Sequence, residues 1–254
     1  MSKAPPWLTT RAIAHRGLHG STTGLIENTL AAFEAAIARG FGIECDVQLT
    51  QDEEAVVFHD FSLQRLTPES GDVKDRPQTA LQTVPITGSG ETIPSLAQTL
   101  AHISGRTPLF IEVKSKFDGD VRLADTVADC LSAYQGPAAV MSFDPKIVDR
   151  FRQRRTGRPV GMVAAKMSYA HWGYLPWRRR LILGALVHKV AFASDFIAYD
   201  QKSLPALAPL AHKYLGGRPL LSWTVKSRQT DKRIAPYVNQ IIFEEFDPHG
   251  AEFG

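Results

Sequence analysis

Gly42-Ile43-Glu44-Cys45-Asp46-Val47-Gln48-Leu49, running into Thr50-Gln51-Asp52, is the stretch whose reading decides the fold. Side chains on a strand alternate between faces, so Glu44 and Asp46 share one side while Ile43, Cys45 and Val47 share the other. The apolar side, Cys45 included, reads as the one that faces a layer of helices. Two carboxylates side by side repel each other unless a cation lies between them. An all-oxygen pair on a rigid strand suits a hard divalent ion such as Ca²⁺ or Mg²⁺.

Similar runs lie on either side. Ala12-Ile13-Ala14-His15-Arg16-Gly17 ends a strand-like segment in a histidine and an arginine. Val56-Val57-Phe58-His59-Asp60 delivers a second histidine, and Leu109-Phe110-Ile111-Glu112-Val113-Lys114 again puts Glu112 and Lys114 on one face. Strand runs are predicted over 12–14, 42–49, 109–113, 138–141, 160–163, 196–198, 220–225 and 240–243, with a short extended piece at 55–58. Helical patterns fall between them: from Asn28, read as the N-cap, to Arg39-Gly40, then 95–102, 121–131, one opened by Asp144-Pro145, 177–190, 204–215 and 228–237. This alternation, eight strands long, predicts an α/β chain of the (β/α)8 TIM-barrel class with an insertion after the second strand, about residues 60–91. That polar, Gly- and Pro-containing excursion is too long for a plain loop and is read as a cover over the top of the barrel. Any helix after the last strand must be short.

A length of 254 residues fits one barrel domain spanning 1–254. The net charge of +3 spreads over clusters such as Arg152, Arg154 and Arg155, and Arg178-Arg179-Arg180, which read as solvated helix faces; no nucleic-acid partner is expected. The 177–190 segment, basic at its start and apolar after it, reads as a barrel helix, with a membrane-surface helix as the alternative; membrane contact is not the expectation. The 166–176 loop, with Tyr169, His171, Trp172 and Tyr174, reads as a substrate lid. Two cysteines, Cys45 and Cys130, imply no disulfide framework. Neither a signal-peptide core nor a run of about 20 apolar residues is present, so a cytoplasmic address is expected. Nothing in the pattern specifies an oligomeric state.

His15-Arg16-Gly17, Glu27-Asn28-Thr29, Glu44-Cys45-Asp46-Val47, Thr50 with Asp52, His59-Asp60, Ile93-Pro94-Ser95-Leu96, Glu112-Val113-Lys114, Ser142-Phe143 and Trp223-Thr224-Val225 stand in one order along residues 12 to about 243. In that set the chain resembles the glycerophosphodiester phosphodiesterase family, whose members share a (β/α)8 barrel. The resemblance implies that Glu44, Asp46 and Glu112 bind one divalent cation, Mg²⁺ or Ca²⁺, and that His15 and His59 form an acid/base pair. It also implies that Arg16 holds a phosphate oxygen, with Lys114 supporting the same charge. The substrate would be a small glycerophosphodiester, cleaved to sn-glycerol 3-phosphate and an alcohol. For Glu27 a pocket hydrogen bond competes with a helix N-terminal charge interaction, and for Trp223 core packing competes with lining the pocket over the glycerol moiety.

The residue types suit that chemistry on their own. A phosphodiester is anionic and repels nucleophiles, so cations must neutralise charge that grows in the transition state. Its alkoxide leaving group needs a proton, and imidazoles titrating near neutrality can move protons in both directions. The sequence also departs from the family. Ile26 stands where proline is frequent, Gln98 replaces an acidic residue, and Ile242-Phe243-Glu244-Glu245 replaces a Thr-Asp pair at the last strand, which leaves that strand without an assigned role. His19, His102, His171, His188, His212 and His249 have no partner motif and read as surface or structural. Two alternatives stay open: a lysophospholipase D on the same barrel, and a non-catalytic phosphoglycerol- or membrane-surface-binding protein.

Overall fold

A computed structural model describes residues 4–250, without the side chains of Tyr169 and His171. Eight parallel strands close into a ring: β1 (Ile13–Ala14), β2 (Gly42–Leu49), β4 (Leu109–Val113), β5 (Ala138–Ser142), β6 (Val160–Ala164), β7 (Phe196–Asp200), β8 (Leu220–Val225) and β9 (Gln240–Phe243), with β1 pairing both β2 and β9. The ninth strand, β3 (Ala55–Val57), folds back antiparallel on β2 outside the ring. The helices are α1 (Leu30–Ala38), α2 (Gln78–Leu81), α3 (Leu96–Ile103), α4 (Arg122–Ser132), α5 (Pro145–Arg154), α6 (Tyr169–Trp172), α7 (Trp177–Gly184), α8 (Lys189–Ala193), α9 (Leu207–Tyr214) and α10 (Arg228–Ile234).

Strand alternation divides the core in two. Outward residues such as Ile43, Cys45, Val47, Ile111 and Val140 pack with Phe33, Leu96, Leu100 and Val127 of the surrounding helices. Inward residues Ile13, Phe110, Met141, Val163, Phe196, Leu221 and Ile242 fill the lower barrel. Beneath them the 3-10 turn Pro6–Thr9 buries Leu8 and sets Trp7 edge-on to Phe110 at 5.9 Å. Phe196 needs the space over Gly161, where a Cβ would stand 2.3 Å from its ring. The barrel is thus packed solid below, and its polar inward residues Glu44, Asp46 and Glu112 collect at the C-terminal strand ends, where such barrels carry their sites.

Helix starts follow local chemistry. Ser95 and Gln98 form a reciprocal capping box on α3, so the Gln98 that departs from the family has a structural use. Asp144 caps α5 with Pro145 as its first residue. At α1 the cap is Thr29, whose hydroxyl accepts from the Ala32 amide, and not Asn28. Asn28 is drawn away because its side chain bonds Asp46, with a left-handed φ of 58° that asparagine tolerates well. The helix predicted over 177–190 is two short ones, broken at Leu186 with φ 55°. Leu183 is the one buried side chain of α7, too narrow an apolar stripe to hold a continuous helix on the sheet. Among the described residues no helix follows β9, and no helix is long and apolar enough to cross a membrane.

The 60–91 excursion has a small core of its own. Leu63, Val73, Leu81, Val84 and Ile86 pack with Val56, Phe58 and Ile93. Asp52 fastens it by accepting from the Gln78 amide, which makes Asp52 a structural residue.

Candidate active site

β2 and β4 pair in the register Asp46↔Glu112 and Glu44↔Phe110, which brings three carboxylates together at one corner of the ring. Glu44, Asp46 and Glu112 each offer an oxygen within 4.8 Å of the others. The Lys114 ammonium lies 2.7 Å from Asp46 Oδ1 and 2.6 Å from Glu112 Oε1, and Arg16 Nε lies 3.2 Å from Asp46 Oδ2. Burial opposes the charge on Asp46, yet Lys114 and Arg16 hold its carboxyl well below the usual range. Glu44 moves the other way: burial, then the like charges of Asp46 and Glu112, push it well up against Arg16 and Lys114. Its Oε2 accepts from the Arg16 amide at 3.0 Å, while its buried Oε1 has no hydrogen-bond partner.

That arrangement is short of positive charge. A hard divalent cation bound by the three carboxylates would give the orphaned Glu44 oxygen a partner and relieve the repulsion, and all donors are oxygen. The residues present therefore fit one, and Glu44, Asp46 and Glu112 would hold it.

The loop between β1 and α1 carries His15 and Arg16 into this corner. It passes so close to α1 that a Cβ on Gly17 would lie 2.9 Å from Ala32 and Phe33 atoms, at a φ of 81°. Asn28 Nδ2 donates to Asp46 Oδ2 at 3.0 Å, aiming that carboxylate.

His15 Nδ1 lies 2.7 Å from Glu244 Oε2, and its Nε2 lies 3.9 Å from Glu44 Oε2. Burial raises the cost of charge on Glu244, but hydrogen bonds from His15, His19 and Lys226 keep its carboxyl far below its usual range. An ionised carboxylate only accepts, so Nδ1 of His15 carries the proton and Nε2 is left for chemistry. Burial, partly countered by the Glu244 bond, lowers the pKa of His15 and so favours the neutral ring.

His59 is built the same way, with Nδ1 2.6 Å from Asp60 Oδ1. Its backbone is pinned by Gln48 Nε2, which donates to the carbonyls of Phe58, His59 and Asp60. Arg65 of the insertion bonds Asp60 and also reaches Glu27 at 2.7 and 2.9 Å, and Glu27 accepts from Arg16 at 2.8 Å. Burial acts against the charge on Glu27, but Arg65 and Arg16 lower its pKa. Glu27 thus bonds two guanidinium groups, while the first α1 amides, of Leu30 and Ala31, donate to Glu91.

Beside this corner opens a cavity of about 620 Å³, lined by His59, Glu112, Lys114, Phe117, Trp172, Tyr174 and Trp223. Trp223 packs edge-on against Phe143 at 5.4 Å and also lines the cavity. The stretch predicted as a loop over 166–176 contains the short helix α6; Trp172 at its end and Tyr174 beyond it line the cavity, and the Tyr169 and His171 side chains lie outside the described residues.

The sequence model of the glycerophosphoryl diester phosphodiesterase family matches residues 15–246, from the first histidine of the site to just past Glu244. The chain belongs to that family. It is similar to glycerophosphodiester phosphodiesterases of Bacillus altitudinis, 38% identical over 114 residues (42% of this chain, 45% of that one), and Caldanaerobacter subterraneus, 39% identical over 114 residues (42% and 46%). The aligned stretches thus span less than half of each relative. In fold it resembles an Oleispira antarctica phosphodiesterase solved with sn-glycerol-3-phosphate, with a TM-score of 0.74, 21% identity and 93% of each chain covered.

In this family member the departure at β9 has a definite consequence. Glu244, to which the sequence assigns no role, holds His15, and His19, read as surface or structural, stands 3.7 Å from Glu244. Among the described residues, His102 stands 3.1 Å from Glu34, His188 caps α8, His212 bonds the Leu186 carbonyl and His249 stacks on Phe41. Arg65 is likewise absent from every motif. The signal that points to Glu244 is its place one residue beyond a barrel strand. Glu244→Gln removes the ionised acceptor of the His15 Nδ1 proton and is expected to lower kcat by about 10²-fold or more with little change in KM. Steady-state kinetics on a glycerophosphodiester check this, and an unchanged kcat would reduce Glu244 to a surface ion-pair partner.

Proposed function

We propose that the chain hydrolyses glycerophosphodiesters to sn-glycerol 3-phosphate and an alcohol. The observation that carries this reading is the joint one: three strand-end carboxylates suited to one cation, flanked by two imidazoles whose Nδ1 atoms are each bonded to a carboxylate. A divalent cation, Mg²⁺ or Ca²⁺, held by Glu44, Asp46 and Glu112 would neutralise phosphate charge and polarise the P–O bonds. Arg16 binds a non-bridging oxygen, and Lys114 adds positive charge on the same side. Trp223 gives the glycerol moiety an apolar wall.

His59 is the acid that protonates the departing alcohol. It lines the cavity with Phe117, Trp172 and Tyr174, where a headgroup alcohol would sit, and His15 does not. His15, favoured as the neutral ring with a free Nε2, takes the proton of the attacking hydroxyl. With the glycerol 2-hydroxyl as nucleophile, the product is a cyclic phosphate that water then opens; with water, the diester is cleaved in one step. Each positioned proton transfer contributes about 10²- to 10⁴-fold.

The same aromatic lining supports a second substrate, a lysophospholipid, because Trp172 and Tyr174 line the cavity and the exposed Tyr174 ring offers apolar surface to an acyl chain. The test is release of sn-glycerol 3-phosphate from glycerophosphocholine by EDTA-stripped protein, with Mg²⁺ or Ca²⁺ added back. Turnover restored by a metal is the expected result. No product from either glycerophosphocholine or lysophosphatidylcholine with both metals would overturn the reading.

A further inference from the structure

From Arg150 to Ser194 the chain carries ten Lys and Arg residues and no Asp or Glu, although its net charge is only +3, so the remainder is net acidic. Part of this positive charge is used internally. Arg150 and Arg154 pair with Asp125 on α4, and Arg158 donates to the carbonyls of Leu131, Tyr134 and Gly136. The rest is displayed around α7. Arg178, Arg179 and Lys189, with Lys146 of α5, rim a surface groove of 530 Å³ and have no carboxylate partner among the described residues; Asp149 is the one acidic residue lining it.

The groove floor is apolar, made by Pro145, Pro176, Ile182, Leu183 and Val190. Next to it Trp177, Leu181 and Val187 are about 60% exposed, at 59%, 63% and 62%. Trp177 and Leu181 stand four residues apart and share one helix face. The groove adjoins the cavity through Arg179, which lines the groove and whose guanidinium lies 5.3 Å over the ring of Phe117, a cavity residue; Tyr174 also lines the cavity and is itself exposed. Soluble surfaces scatter apolar side chains singly, whereas a contiguous apolar patch rimmed by cations matches the two signals of an interfacial helix.

We infer that α7 and its flanks dock the chain onto an anionic lipid surface, with Trp177, Leu181, Ile182 and Val187 entering the headgroup layer and Arg178 and Lys189 meeting lipid phosphates. The docked face brings the cavity mouth next to the lipid. This goes beyond the proposed hydrolysis and does not depend on it.

The full chain is tested by co-sedimentation with vesicles of phosphatidylcholine alone and of equal parts phosphatidylcholine and phosphatidylglycerol. Binding is expected on the anionic vesicles, weakening with salt. Arg178→Gln should weaken it about fivefold, the equivalent of roughly 1 kcal/mol per cation near a charged bilayer. Leu181→Ser with Ile182→Ser should weaken it about tenfold or more through lost apolar burial. The pair Leu207→Ser and Leu215→Ser, 90% and 89% exposed on and just past α9, should change nothing. Unchanged circular dichroism and unchanged turnover of glycerophosphocholine identify folded variants. Equal binding to both vesicle types, no binding by the wild type, or equal loss in the α9 pair overturns the inference. So does a concentration-dependent dimer in sedimentation velocity that the α7 pair abolishes without any vesicle binding, since the patch would then join two copies. Vesicle binding by a chain that hydrolyses no diester would instead remove the enzymatic reading and leave the docking surface standing.

Discussion

Glu44→Gln is expected to abolish turnover while leaving the metal-free protein at least as stable as the wild type. The two effects separate because Glu44 is a costly residue in the absence of a cation. It is 1% exposed, its Oε1 has no partner, and Asp46 and Glu112 stand beside it. A buried carboxylate compensated only in part, by the Arg16 amide and by the charges of Arg16 and Lys114, is costly to ionise, and a glutamine of the same shape carries no charge to desolvate. With the cation, the ledger reverses. A ligand at about a hundredfold excess over its Kd adds roughly 2.7 kcal/mol to the folded state, or on the order of 5–10 °C in Tm for a chain of this size. Thermal unfolding should therefore show Mg²⁺ or Ca²⁺ raising the wild-type Tm and not that of the variant. Release of sn-glycerol 3-phosphate should fall by about 10³-fold or more, in keeping with the loss of a main electrostatic contribution to the transition state. A metal-free variant that unfolds far below the wild type would make Glu44 a structural ion-pair partner instead.

The second large effect divides the two histidines. His15→Ala and His59→Ala should each lower turnover of glycerophosphocholine by about 10²- to 10⁴-fold. A nitrophenyl diester of glycerol phosphate, whose leaving group departs without a proton, should restore most of the rate to His59→Ala and little to His15→Ala. Their surroundings argue for this asymmetry. His59 stands at the edge of the aromatic cavity, held by Asp60 and, through it, by Arg65, whereas His15 is held by Glu244 with Nε2 turned towards Glu44. Rescue of His15→Ala alone would exchange the two roles. Equal failure of both on the activated diester would place both histidines in binding or in the attack step.

Much of this is legible in the sequence. Strand positions are set by local alternation, so β4, β8 and β9 stand where the pattern puts them, and Glu44, Asp46 and Glu112 converge because neighbouring barrel strands carry them at matched heights. Asn28 illustrates the limit. A cap is a local preference worth about 1 kcal/mol, and it gives way when the side chain meets a buried carboxylate that needs a donor, with Thr29 one residue on to take over the cap. The 177–190 segment illustrates another. Its composition suits a helix, but only a narrow part of its surface finds the barrel, and the chain breaks at Leu186.

The sequence by itself determined each strand, the acidic strand ends and the two histidines, because each depends on residues within a few positions of one another, and the barrel class followed from eight such strands in alternation with helices. Only the tertiary structure decided which carboxylate orients each imidazole and how the cations are shared. Glu244 meets His15 across 229 residues of chain, and Arg65 spans Asp60 and Glu27 from within an insertion that has no periodic pattern. Such contacts exist because the ring closes β9 against β1 and the insertion packs on its own small core, and neither closure leaves a mark in the local order of residues.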